Sequence, residues 1–338
     1  MSHAHHHHDH ADVDGGRHGL VGLVDGMERA ARAWLLGLDD RQQRQVLWPF
    51  RDPERGDWHY APRPRNGLAL RGMDRLQQQA AIALLESALS RRGAAKARAI
   101  MALEEILLEL ERGSGPLRDP LNYAFTLFGR PGAYPWGWRV EGHHLIVNVT
   151  VAGPEAATIT PTFWGTNPAR IPIGPQAGER VMANEYHWGL ELAQGLSGAQ
   201  RAVAVEGDRS VGNVITERGQ ARRLVVPTGL PFGALQAGQQ DLVMRLVGEY
   251  VGNAADALGL PYLERVRRDG LDALRLAWAG GMAEGQAFYY RIHAPRLLIE
   301  FDCTQNDANH IHSLWRDPTS DWGRDILGEH YLHDHDDD

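Results

Sequence analysis

With 338 residues, 43% of them hydrophobic and 23% charged, the chain is long enough for a substantial core and has the make-up of a soluble globular protein. Its net charge of -8, with no stripe of Lys and Arg, argues against a general nucleic-acid binder, because neutralising phosphates needs a basic surface. The single cysteine, Cys303, rules out an intramolecular disulfide and thiolate metal clusters, and no apolar run approaches the roughly 18 to 20 residues that span a bilayer. The first residues lack the charged-then-apolar order of a signal peptide, so the expected location is cytoplasmic, with no membrane partner.

Residues 1–16 are low-complexity, with six histidines among Asp, Ala and Gly, and are expected to be disordered; residues 332–338 form an acidic, His-containing tail. Between them, 17–331 reads as a single α+β domain, with N-terminal and central helices packed on a mostly antiparallel sheet. From Leu20, apolar residues at three-to-four spacing (Val21, Val24, Met27, Ala31, Trp34, Leu38) predict an amphipathic helix, followed by another from Asp39. The Pro-, Arg- and aromatic-rich loop through Pro64 holds Trp58 and His59, read as packing residues. Helices are predicted over 72–91 and 94–112, broken at Gly93 and stopped at Gly113, with Glu104, Glu105, Glu109 and Glu111 on a solvated face. This makes 17–112 helical.

The character changes over 121–165. Runs at 121–128, 136–140 and 143–151 are rich in aromatic and β-branched residues and bounded by Gly and Pro, which predicts strands. Helical periodicity returns over 182–206, 234–258 and about 261–280. The last part, 286–331, gives strands at 286–293, 296–303 and 309–315; Leu297, Ile299 and Phe301 alternate with Leu298, Glu300 and Asp302, so both carboxylates share a face.

The chemistry concentrates in two segments. His310 and His312, one residue apart, point to the same side of a strand, and His143 and His144 open another. Imidazole is the commonest protein metal ligand, so these four are the candidate ligands of a divalent ion; zinc is favoured, with iron or copper as alternatives. Glu300 or Glu141 is the candidate general base or extra ligand, His330 a proton-transfer group and Arg316 a clamp for an anionic substrate; the competing reading of Arg316 is an ion pair with Asp317, Asp321 or Asp325. The two segments are expected on neighbouring strands, with their histidines converging in one pocket. No GxSxG, HExxH, GxGxxG turn or GxxxxGK[ST] loop is present.

The segments WGWRVEGHHLIVNVTV, TPTFWGTNPA and YYRIHAPRLLIEFDCTQNDANHIHSLWRDPTSDWGRDILGEHY, with the helix pair around MDRLQQQAAIALLE, resemble the domain-of-unknown-function family 3500, found largely in bacteria. The resemblance covers about residues 41–331. Its patterns fall on Glu141 to His144, Thr160 to Gly165, His310, His312, Arg316 and Asp317, and Asp325, His330 and Tyr331. It implies no activity of its own. The leading expectation is a metal-dependent enzyme, hydrolytic, acting on a small and anionic molecule. The rivals are a non-catalytic metal-sequestering or delivery protein, a metal-free hydrolase or binder, and an iron- or copper-dependent oxidoreductase. The oligomeric state stays open.

Overall fold

The computed structural model describes residues 10–333, with side chains from 18 to 328. The first half runs α1 (His10–Leu36), α2 (Asp40–Val46), β1 (Leu47–Trp48), β2 (Leu68–Ala69), α3 (Arg75–Ser87), α4 (Arg91–Leu110), β3 (Ala124–Arg130), β4 (Ala133–Gly142), β5 (Leu145–Gly153), β6 (Ala156–Thr158) and β7 (Thr162–Thr166). The second runs α5 (Ala183–Gly195), α6 (Gly198–Ala204), β8 (Val205–Gly207), β9 (Leu230–Pro231), α7 (Ala237–Val251), α8 (Asp256–Arg268), β10 (Arg275–Gly280), β11 (Phe288–Ala294), β12 (Leu297–Cys303) and β13 (Ile311–Arg316), followed by a C-terminal helix, Arg324–His333. The result is the expected α+β fold on a mostly antiparallel sheet. Among the described residues no helix is long and apolar enough to cross a membrane.

The halves repeat one another. The 13-stranded sheet is ordered β1-β3-β4-β5-β7-β13-β12-β11-β10-β8, a sequence that reads the same from either edge once each strand is matched to its counterpart. β1 lies parallel to β3 as β8 lies parallel to β10, and β2 adds to β3 as β9 adds to β10. Local chemistry repeats too. Gln42 donates to the Gly72 carbonyl and Gln77 to that of Gly37; Gln200 donates to Ala234 and Gln239 to Gly195. These pairs tie each short helix to the start of the helix that follows it, and satisfy carbonyls left free at turns. The pseudo-twofold axis passes between β7 and β13, whose antiparallel pairing joins the halves.

One face of the sheet is apolar and covered by helices, packing Trp136, Trp138, Trp164, Trp278 and Trp315 into a continuous core. The other face is polar but equally buried: Arg139, Glu141, Asn148, Arg291, Glu300, Asp302 and Arg316 are all at most 5% exposed. Most of their partners are backbone groups and side chains of the long β1–β2 and β8–β9 loops, which fold over this face, while Asn148 donates to the Pro161 carbonyl; a small cluster of Trp58, Tyr60, Ile146, Phe163, Val214 and Leu314 seals the seam between the loops.

Several elements differ from expectation. α1 begins at His10, inside the stretch expected to be disordered, while residues 1–9 and 334–338 of the two tails lie outside the described residues. Gly93 lies within α4 instead of breaking it, and the cap is Ser90; a Cβ at Gly93 would stand 2.0 Å from the Asn253 carbonyl oxygen, so the glycine serves helix packing. The helix predicted to reach residue 280 stops at Arg268, and Arg275–Gly280 is strand β10. Its Arg-Leu-Ala-Trp-Ala-Gly composition favours helix, but pairing with β11 overrides that preference. The helix predicted over 182–206 divides at Ser197, which caps α6 through the Gln200 N–H.

Candidate metal centre

The β4–β5 hairpin closes with a two-residue turn, His143–His144. His144 adopts the left-handed conformation, φ 63°, which costs a non-glycine residue about 1–2 kcal/mol. Two backbone hydrogen bonds hold it there: its N–H donates to the Tyr60 carbonyl (3.1 Å) and its carbonyl accepts from Gly165 N–H (2.8 Å). A second left-handed stretch, Asn306, Asp307 and Ala308, lies just before His310, which precedes β13, and His312, which is within it. Cys303 Sγ donates to the Ala308 carbonyl, and Asn309 fastens the turn to Arg170. Strain held in place from several sides at two converging segments marks a pre-organised site.

The rings meet there. His144 Nε2 is 2.7 Å from His310 Nε2 and 3.2 Å from His312 Nε2, and one ring nitrogen of each residue lies within 4.8 Å of the other two. His144 and His312 are buried and His310 is half-buried, so the cluster opens on the His310 side. The tautomer of His312 follows from its neighbours. Asn213 Oδ1 accepts from Val214 N–H, and Asn213 Nδ2 donates to the Tyr60 hydroxyl, which in turn donates to Glu217. His312 Nδ1, 2.8 Å from Asn213 Oδ1, must therefore carry its proton, leaving the Nε2 lone pair aimed at the cluster.

Burial is the first cause that pushes all three imidazoles down: His144 and His312 well below the usual histidine range, where neighbouring imidazoles add to the effect, and His310 to about 4. Neutral rings with converging lone pairs are the ligand form of histidine. A proton between two rings serves only one pair of nitrogens, whereas a divalent cation answers all three. Three imidazoles suit zinc, copper, iron or nickel.

Tyr60 stacks on Phe163 (centroids 4.1 Å apart) and lies 4.8 Å from the His312 ring, walling one side. Asp302 is the register partner of His312 on the same face; its Oδ1 accepts from Ser210 (2.8 Å) and Thr304 (2.7 Å), and burial raises its pKa. Gly165, also opposite His312, is required by closeness: a Cβ there would lie 2.5 Å from the Ile311 carbonyl oxygen and 3.1 Å from His144 Cδ2.

Three of the four expected histidine ligands thus converge. They do so across β7, since β5 and β13 flank that strand and are not neighbours. His143 turns away: its Nδ1 bonds Glu104 of α4 and its ring lies 3.8 Å from that of His144, with Arg118 Nη1 3.2 Å away. Glu104, expected on a solvated face, is buried. Glu300 has no free valence for catalysis, because Ile215 N–H, Thr216 N–H, the Thr216 hydroxyl and the Tyr289 hydroxyl all donate to it. Glu141 receives His59 N–H (3.0 Å) and Arg139 (2.9 Å) and so anchors the Tyr60 loop. Arg316 takes the ion-pair alternative: its Nε bonds Asp321 (2.6 Å), its Nη1 the Thr216 carbonyl, and it is 2% exposed. His330 belongs to the C-terminal helix, and its side chain lies outside the described residues. The positioning residues Asn213 and Tyr60 lie in loops and carry no spacing signal, and Glu104 lies on α4, on a face expected to be solvated.

Fold and site together define an α+β protein of two fused repeats with a buried three-histidine cluster at their junction. The chain belongs to the DUF3500 family, described as a protein of unknown function, whose match covers residues 22–324. Neither a curated protein nor a solved structure matches it.

Proposed function

We propose that the chain is a metalloprotein that holds one divalent ion, zinc in preference to iron or copper, through His144, His310 and His312, and uses it to hydrolyse a small molecule. The observation that carries this reading is the convergence of three neutral imidazoles with the tautomer of His312 fixed by Asn213. A divalent ion bound by three protein ligands supplies a Lewis acid and an activated water, which is the chemistry of hydrolysis. The chain's own part is to fix the ligands by left-handed backbone and buried loops, to keep water out on the Tyr60–Phe163 side, and to leave the His310 side open. Asp302, beside His312 and holding both its side-chain hydrogen bonds on Oδ1, is the nearest candidate for acid/base work. The burial of His144 and His312 favours a second reading, a non-catalytic metal site.

The test is elemental analysis of protein lacking residues 1–9 and 334–338, so that His3, His5, His6, His7, His8 and His335 of the tails do not contribute. The expected result is one equivalent of metal, lost in His312→Ala and bound about 10–100-fold more weakly in Asn213→Ala. Absence of stoichiometric metal, with thermal stability unchanged by chelator, overturns both metal readings. Metal without chelator-sensitive hydrolysis across ester, amide and phosphoester substrates selects the non-catalytic one.

A further inference from the structure

A second cavity, of about 480 Å³, lies between the loop at residues 62–71 and the loop at 116–122, with Gln45 of α2 at its rim. Its polar lining is Arg63, Arg65, Arg71, Gln45 and Asn122, and its remaining walls are prolines, small residues and Leu117; no carboxylate lines it. The carboxylates nearest these arginines are not part of the lining: Asp57 accepts from Arg63 Nη2 through its Oδ1 and its carbonyl (3.2 Å each), while Asp119 is 3.8 Å from Arg71 and Glu141 4.0 Å from Arg65. Arg63 Nε is buried without a hydrogen-bond partner. Arg65 is spent on the carbonyls of His59, Ala61 and Arg63, which rigidifies the wall.

The internal repeat shows that a loop of this kind can be built without Arg63 and Arg71. Gly67-Leu68 and Gly229-Leu230 are equivalent, both glycines having positive φ at the start of β2 and β9. Counting from them, Arg63, Arg65 and Arg71 correspond to Val225, Pro227 and Gly233. The counterpart loop of the second half has no arginine at any of the three places; Arg65 holds its own loop through the carbonyls, so Arg63 and Arg71 are the additions to the scaffold.

We propose that this cavity binds a small ligand bearing an oxyanion, a phosphate ester or a carboxylate, between Arg63 and Arg71. Planar guanidiniums bind such groups through paired N–H donors, and a partly open cavity with no competing carboxylate in its lining leaves them accessible to a small anion. The proposal stands independently of the metal centre.

The experiment is calorimetric titration of the full chain with inorganic phosphate and, separately, with citrate. Saturable binding of either supports the site, and the preference between them tells phosphate from carboxylate recognition. Arg63→Gln and Arg71→Gln are each expected to weaken binding about tenfold or more, with the double variant near background and folded by circular dichroism. His312→Ala should bind as the wild type does. Failure of both anions to bind saturably, or a folded double variant that binds as tightly as wild type, overturns the proposal. Arg65 is left intact because its bonds hold the loop.

Discussion

The turn joining β4 to β5 carries His143 and His144; its counterpart, joining β11 to β12, carries Pro295 and Arg296. Trp164-Gly165 at the end of β7 has its match in Trp315-Arg316 at the end of β13, and Glu141 has its match in His293. Around Gly165 the missing side chain admits the His144 ring. At the matching place Arg316 fills the space and pairs with Asp321. Other features are common to both halves: Arg139 pairs with Glu54 of the β1–β2 loop, and its counterpart Arg291 pairs with Glu206 of β8 and donates to the Thr228 hydroxyl of the β8–β9 loop, so each arginine fastens a long loop to the polar face. What the halves share therefore builds the fold, and the residues in which they differ build the site. That rule separates positioning from chemistry without any knowledge of the reaction.

The largest effect is expected where the difference is steric. Gly165→Ala places a methyl 2.5 Å from a backbone oxygen and against the His144 ring. Destabilisation of about 3 kcal/mol, the upper end for overpacking, is expected in urea unfolding, together with loss of the proposed metal. If the variant is as stable as wild type and keeps its metal, the close approach does not define the site.

Next come the carboxylates that pin the loops. Glu300→Gln replaces an acceptor of four donors, and about 2–4 kcal/mol of stability should be lost. Glu141→Gln should lose less, about 1–2 kcal/mol, because burial already raises the pKa of Glu141 and makes its neutral form less foreign to the site. Equal losses, read from the same unfolding curves, would remove the distinction between the two loops. A changed rate with unchanged stability in Glu300→Gln would restore a catalytic role to Glu300.

Much of this was legible in the sequence, and the failures have physical causes. Alternation of Leu297, Ile299 and Phe301 with Glu300 and Asp302 correctly separated the two faces, because side-chain parity is local. Parity does not say how far along a strand a residue meets its partner, so Glu300 was preferred where Asp302 is the one opposite His312. The spacing of His310 and His312 carries the pair, while the β-rich run at 143–151 predicts strand where His143 and His144 form a turn, which sends one ring to Glu104 and the other to the cluster. Asn213 and Tyr60 reach His312 across about a hundred residues or more, through loops without periodicity. The repeat left a faint trace in Gln77-Gln78 and Gln239-Gln240, where the second glutamine of each pair donates to turn carbonyls just upstream and the first to a turn about forty residues back.

The smallest expected effect tests the comparison at its least functional position. His293, the counterpart of Glu141, is 1% exposed, and both of its ring nitrogens are buried without a partner. Burial, and after it the guanidinium of Arg291, pushes its pKa down to about 4, against about 6.5 in an unfolded chain. Between those values the unfolded state holds a proton that the native state lacks. The stability present above pH 6.5 is therefore lost as the pH falls toward 4, and below 4 no further change comes from this group. His293→Leu removes both the unpaired nitrogens and the titration. It should leave metal content unchanged, raise stability at pH 7 by about 1 kcal/mol, and flatten the fall between pH 6.5 and 4. Urea unfolding at pH 7 and pH 5 reads both effects. An unchanged slope would mean that the acid sensitivity belongs elsewhere, and a loss of metal would mean that this half contributes more to the centre than its counterpart position implies.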